Sequence, residues 1–332
     1  MRRELSDYLA EREGARVLAA LTPDASTREY YRIKESDRTL VACLYPEPFD
    51  RNSVHPYLDV TRLLQNGGVR VPQVESVDYE RGLILLEDVG DTLLRTTLQT
   101  SDEIKRTKLL ETAIGIIADI QMTTESARAT DSIAARLSFD FEKLNWELNF
   151  FLEHYVVSYR GGRHPASDAL RAELALVGRE LSHKAVTVCH RDYHAANLMV
   201  ASDGELVVID HQDARMGSIS YDIVSLLLDR IESAPEDDEI GQWINYFLSQ
   251  RNERGLPRVS EDEFWSEFRL QSIQRCLKAI GTFSYQTAVR GKSGYEQYIG
   301  PMMEVTLRNA RTLGGYPELV EFLQREIRPQ TL

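Results

Sequence analysis

Hydrophobic periodicity changes once along this chain of 332 residues, and that change restricts what it can fold into. Up to about Glu87 the apolar residues fall mostly in short strand-like runs broken by turns, whereas from Ser101 onward they recur at three- and four-residue spacing. Tyr30 to Lys34 and Thr39 to Tyr45 read as paired strands about the polar turn Glu35 to Arg38. Gln73 to Tyr79 and Leu83 to Glu87 form a second pair about Arg81-Gly82. A helix over Val54 to Gln65 lies between the pairs. An opening helix is expected to carry Leu5, Leu9, Val17, Leu18 and Leu21 on related faces up to Pro23. Later helices run over Glu103 to Met122, Phe141 to Tyr159, Ser167 to His183 and several segments beyond Ser220. Residues 1–90 and 91–332 are therefore expected to form two unlike lobes, joined near Glu87 to Asp91, with a ligand cleft between them.

One stretch of the helical half breaks the pattern. From Ala185 to Asp210, short β-rich segments (Val186 to Cys189, Leu198 to Val200, Leu206 to Ile209) surround polar residues. Among these, His190-Arg191-Asp192-Tyr193-His194-Ala195-Ala196-Asn197 matches the kinase catalytic-loop pattern H-R-D-x-x-x-x-N at every specified position. Val207-Val208-Ile209-Asp210 then ends an apolar strand in a carboxylate, where a kinase carries its metal-binding aspartate.

Phosphoryl transfer asks little covalent work of a protein and much positioning and charge neutralisation. In that scheme Asp192 orients an acceptor hydroxyl and takes its proton late. Asn197 and Asp210 supply hard oxygen ligands for Mg²⁺ on the nucleotide phosphates of ATP. His190 and Asp222 support them, Asp222 by capping its helix or bracing the catalytic-loop backbone. An isolated loop Asp or Asn is usually a turn residue, and an isolated histidine a core one; the ordered combination outweighs that reading. His190 and His194 also have the spacing of a helical zinc pair, but Arg191 stands where H-E-x-x-H needs its glutamate.

Lys plus Arg total 39 against 52 Asp plus Glu, and the net charge of −13 opposes nonspecific attraction to nucleic acid or anionic membrane. An anionic ligand then needs a locally positive site or a metal ion. Three scattered cysteines, Cys43, Cys189 and Cys276, suit reduced core thiols. With no apolar segment at Met1-Arg2-Arg3-Glu4 and no run approaching ~20 apolar residues, the expected setting is cytoplasmic. The pattern specifies no oligomeric state.

These residues resemble the aminoglycoside phosphotransferase and choline-kinase-like family, and within it the bacterial N-acetylmuramate/N-acetylglucosamine anomeric kinases of cell-wall recycling. The resemblance spans nearly the whole chain. It is carried by Asp24-Ala25-Ser26-Thr27-Arg28-Glu29-Tyr30-Tyr31-Arg32, Leu85-Leu86-Glu87-Asp88-Val89-Gly90, His190 to Asn197, Ile209 to Ala214 with Tyr221-Asp222, and Gln274 to Phe283. It implies an α+β, protein-kinase-like two-lobe fold with a small antiparallel-sheet N-lobe and a mainly helical C-lobe. It implies ATP-dependent phosphorylation of a small-molecule acceptor, an amino-sugar hydroxyl and in particular the anomeric one. The segment with Ser26, Arg28 and Arg32 would cover the phosphates, and Glu87 to Val89 would meet adenine. Glu147, Gln212, Asp213, Arg275 and Lys278 would border the acceptor, with core packing the equal alternative for the helix of Glu147.

The chain departs in three ways from the patterns it resembles, two of them from protein kinases. It has no glycine-rich loop, and Val41-Ala42-Cys43-Leu44 stands where V-A-I-K carries its lysine, leaving Arg28 or Arg32 to supply that charge. His211-Gln212 rather than Phe-Gly follows Asp210, and no A-P-E segment appears, which disfavours a protein substrate. Arg290-Gly291-Lys292-Ser293-Gly294 matches the sugar-kinase subgroup only approximately. Two other readings stand beside the sugar kinase: an aminoglycoside- or choline-type kinase, and a catalytically weak nucleotide-binding scaffold. The acidic run Glu236 to Glu239 could serve a cationic acceptor, but its place after Pro235 suits a helix start.

Overall fold

The computed structural model describes residues 2–21 and 28–327. In chain order its elements are α1 (Arg3–Ala10), β1 (Arg16–Leu21), β2 (Glu29–Glu35), β3 (Arg38–Leu44), α2 (Pro56–Asn66), β4 (Val74–Asp78), β5 (Leu83–Glu87) and α3 (Leu94–Thr100). Helices α4 (Glu103–Met122), α5 (Thr124–Ala129), α6 (Ile133–Arg136) and α7 (Phe141–Phe151) follow. A π-helical segment, Leu152–Tyr159, continues α7 before α8 (Asp168–Ser182). The short strands β6 (Thr187–Cys189), β7 (Leu198–Val200), β8 (Leu206–Val208) and β9 (Arg215–Gly217) precede α9 (Tyr221–Leu228) and α10 (Asp237–Glu253). Helices α11 (Glu261–Ala288), α12 (Ile299–Leu313) and α13 (Pro317–Ile327) complete the chain. The chain divides into two units, residues 1–106 with 195–212, and residues 107–194 with 213–332.

In the first unit five strands form an antiparallel sheet in the order β1-β2-β3-β5-β4. Because successive strand residues point to opposite faces, β3 serves two cores at once. Leu40, Ala42 and Leu44 pack with Leu5, Tyr8 and Leu9 of α1, while Val41 and Cys43 pack with Tyr57 of α2. Pro56 opens α2 at a position where no amide donor is needed. Gly82, at φ +59°, turns β4 into β5, and a Cβ there would stand 2.4 Å from the carbonyl oxygen of Glu47. The β7–β8 hairpin belongs to this unit: the Val200 amide donates to the Thr92 carbonyl at 2.8 Å and the Val208 amide to the Arg70 carbonyl at 2.9 Å.

The opening helix is shorter than its apolar spacing predicts. It ends at Ala10, and Gly14 at φ +75° turns the chain so that Arg16–Leu21 pairs with β2. Val17, Leu18 and Leu21 are thus strand residues, because the edge of β2 offers backbone partners that a longer helix would leave unused.

Among its described residues the second unit is mainly helical, with a small ladder in which β6 pairs antiparallel with β9 and Cys189 faces Arg215. Its longest helix, α11, starts with a capping box between Ser260 and Glu263 and is buried all round its middle, from Leu270 to Leu277. The segregation of sheet and helix makes the fold α+β. All three cysteines are free and buried, and among the described residues no helix is long and apolar enough to cross a membrane.

Candidate active site

The catalytic-loop residues begin where β6 ends. The chain at 190–194 is not helical, so His190 and His194 do not form a helical zinc pair, and the described residues contain no cluster of three metal-binding side chains. Asp222, in the first turn of α9, accepts hydrogen bonds from the backbone amides of His190 at 2.7 Å and Arg191 at 3.1 Å. Its carboxylate is fully buried; burial pushes its pKa up, while His190 and the two amides pull it back. These bonds hold Arg191 at φ +86°, a conformation that costs a non-glycine residue energy unless its surroundings impose it. The buried Tyr193 hydroxyl donates to the carbonyl of Ala113 at 2.7 Å and fixes the other side of the loop.

Asp192, braced in this way, meets three cations. Lys278 Nζ lies 3.2 Å from its carboxylate, Arg191 Nε 3.7 Å and an Arg275 guanidinium nitrogen 3.9 Å. Burial pushes the Asp192 carboxyl up, but Lys278, Arg275 and Arg191 outweigh it and hold it well below the usual carboxylate range. Burial and the adjacent Arg275 in turn pull the Lys278 ammonium below its usual value. Arg191 also bonds Asp213 at 3.0 Å. Arg275 and Lys278 thus contact the carboxylate of Asp192, and Asp213 contacts Arg191. Glu147 is only 1 % exposed; it accepts from Gln274 at 2.7 Å and has Lys143 at 3.7 Å.

In the first unit the β7–β8 hairpin brings two further residues to one end. The Ile209 amide donates to the Asn197 carbonyl at 3.0 Å, which sets Asn197 beside the segment carrying Asp210. Asp210 adopts φ +61°, and its carboxylate receives Arg28 at 3.0 Å and the Gln212 side-chain amide at 2.9 Å. A single half-exposed carboxylate with a neighbouring amide oxygen fits Mg²⁺, which keeps waters and shares its coordination with nucleotide phosphates. The set does not fit a cation that needs an all-protein cage.

Behind Asp210, His211 is fully buried against the Tyr57 ring and Thr61 of α2. At the end of β5, Arg70 bonds the Glu87 carboxylate through both terminal nitrogens, one of them at 2.7 Å. The Glu87 amide donates to the Gln73 carbonyl at 2.9 Å, and Val89 follows outside any regular element. Arg32 is stapled to Asp88 at 2.7 and 2.9 Å and to Asp91 at 2.8 Å. Ser26 lies outside the described residues.

Sequence reasoning passed over Thr61 and Arg70, and named His211 without giving it a role. Their roles depend on partners 150 and 17 residues away, and a polar residue in a helix such as Thr61 carries no local sign of what it faces. The acidic run opens α10, where Asp237 takes Arg269 at 3.0 Å and Arg308 at 3.1 Å, so it includes a structural ion cluster.

The model of a phosphotransferase enzyme family matches residues 17–261. The N-acetylmuramate/N-acetylglucosamine kinase of Neisseria meningitidis is 32 % identical, with 91 % of this chain and 90 % of the relative covered. The protein of the same name in Pseudomonas putida is 30 % identical over 92 % and 86 %. Among solved structures, spectinomycin phosphotransferase APH(9)-Ia in complex with ADP and spectinomycin superposes with a TM-score of 0.55 at 13 % identity, covering 98 % of each chain. Choline kinase LicA from Streptococcus pneumoniae gives 0.55 at 15 % identity over 93 % and 97 %. At these identities the two structures speak for the shared protein-kinase-like fold.

Proposed function

This chain belongs to the phosphotransferase enzyme family and is a kinase, and on that footing we propose that it transfers the γ-phosphoryl group of ATP to the anomeric hydroxyl of an N-acetylated amino sugar. The observation that carries the acceptor assignment is the near-full-length match to kinases named for N-acetylmuramate and N-acetylglucosamine. The charge around Asp192 supports it: three cations gather on that carboxylate, so it is already partnered and offers less to a choline or an aminoglycoside than an unpaired acidic pocket would. A place in cell-wall sugar recycling and a cytoplasmic setting, where ATP is supplied, follow from that acceptor.

Asp192 accepts a hydrogen bond from the acceptor hydroxyl and aims its oxygen at the phosphorus. Held ionised by Lys278, Arg275 and Arg191, it is a weak base, so the proton moves late, as a loose phosphoryl-transfer transition state requires. An anomeric hydroxyl, more acidic than an ordinary alcohol, suits such a base. Asp222 keeps the loop rigid by occupying two of its amides. Asn197 and Asp210 would hold Mg²⁺, which would supply positive charge against the nucleotide phosphates. Since the Glu87 amide is already engaged, adenine takes the Glu87 carbonyl and the Val89 amide.

The test is ATP consumption with N-acetylmuramate, N-acetylglucosamine, aminoglycosides and choline in turn, the product's phosphate located by phosphorus NMR. The expected result is a sugar 1-phosphate, abolished by chelation and reduced about 10²–10⁴-fold in Asp192→Asn. Turnover with cationic acceptors alone would remove the sugar assignment, and turnover with none would favour a scaffold.

A further inference from the structure

Kinases neutralise the nucleotide phosphates with a lysine on the third strand, and β3 here reads Arg-Thr-Leu-Val-Ala-Cys-Leu. The pleat shows which position is vacant. Leu44 belongs to the face that packs on α1, whereas Cys43, paired with Tyr30 across β2, lies on the α2 face with Tyr30, Tyr45 and Tyr57. A lysine serving that face would therefore stand at 43. The Cys43 thiol cannot replace that lysine, because neither of its protonation states is cationic; burial pushes it up to about 11, so it stays neutral.

A cation reaches this face from another strand. Arg28, two residues before Tyr30, lays its guanidinium 5.8 Å from the ring centres of both Tyr30 and Tyr45. The same group donates to Asp210 at 3.0 Å, and its side chain is only 13 % exposed. The two rings and the Asp210 carboxylate together hold the guanidinium beside the residue that would carry Mg²⁺, where a planar fork also suits phosphate oxygens. Arg32 points elsewhere: it bonds Asp88, Asp91 and the Gly90 carbonyl, in the chain after β5.

We propose that Arg28 is the phosphate-neutralising cation of this kinase, entering from the start of β2 the space that a lysine at position 43 would fill, and that Arg32 only braces the chain after β5. The proposal rests on the nucleotide-binding reading above. Calorimetry of Mg·ADP and of adenosine, in the intact enzyme and its variants, tests it without any acceptor.

Arg28→Gln is expected to weaken Mg·ADP about 10–100-fold while leaving adenosine within about twofold, a selectivity that fold damage does not produce. Arg28→Lys should fall between. Arg32→Gln should lower the melting temperature with no selective loss of ADP. In the Arg28→Gln background, Cys43→Lys should restore part of the ADP affinity; should that buried lysine prevent folding, rescue of Arg28→Gly by added methylguanidinium replaces it. Equal losses for ADP and adenosine, or no loss at all, would overturn the assignment. A wild-type enzyme that binds neither ligand would sink the nucleotide reading itself, and failure of the acceptor panel leaves this result standing.

Discussion

The Nε2 of His211 lies 2.7 Å from the Oγ1 of Thr61. The Thr61 hydroxyl already donates to the Tyr57 carbonyl at 2.7 Å, so it accepts from His211, which assigns that proton to Nε2. The bond ties α2 to the residue that follows Asp210, inside a region where neither side chain meets solvent.

Thr61→Val keeps the shape and leaves a buried N–H without its acceptor, and is expected to cost about 1–3 kcal/mol in urea unfolding. Well below its melting temperature the variant should need more Mg²⁺ for the same ADP affinity, because Asp210 loses its support. Thr61→Ser should behave as wild type. An unchanged Mg²⁺ titration in Thr61→Val would limit the bond to stability.

Asp192 has its pKa depressed by Lys278, Arg275 and Arg191 against the effect of burial. A depressed carboxylate contributes stability that is fully present above its unfolded value of ~3.9 and fades as pH falls through the folded value. Asp192→Asn should therefore be less stable than wild type by about 1–3 kcal/mol at pH 7, where Lys278, Arg275 and Arg191 lose the carboxylate they share. The gap should hold from neutral pH to about 5 and close in stronger acid. Unfolding curves across that range check it, and a gap that widens on acidification would contradict the ion cluster.

Asp222→Asn replaces one of two accepting oxygens with a donor that opposes an amide of the catalytic loop. Turnover should drop on the order of 10²-fold as Asp192 is misplaced. The KM for ATP should hold, since Asn197 and Asp210 belong to the other unit. Steady-state kinetics separate the two, and a loss confined to KM would contradict the bracing role.

Gly281→Ala would ordinarily stabilise a helix by about 1 kcal/mol. Here the added carbon would stand 2.8 Å from the Phe151 Cα, a backbone atom that cannot swing aside, so the sign should reverse to a loss of about 1–3 kcal/mol. Thermal unfolding measures it, and a more stable variant would mean that the two helices separate freely.

Much of the local structure can be read from pattern. β2, β3, β4 and β5, helix α2 and most later helices lie within a few residues of where alternation, turns and prolines put them. β1 escaped because its apolar residues suit either period, and only pairing with β2 decides between them. The continuation of α7 as a π-helix and the brief β9 carry no local signature.

The site divides in the same way. Asp192, Asn197 and Asp210 can be named from one octapeptide and one apolar strand, since their spacing is itself chemical information. That Lys278 and Arg275 bear on Asp192 follows only from packing, because Asp192 and Lys278 are 86 positions apart. Nor does the chain distinguish Arg28 from Arg32 as a string of letters; the difference is which carboxylates lie within reach once β2 is seated beside β3. Residue types and their intervals determine which groups exist and what chemistry they can do. The fold decides which charges face one another and how far each is shielded from water, and hence which of those groups hold a proton and which hold a phosphate.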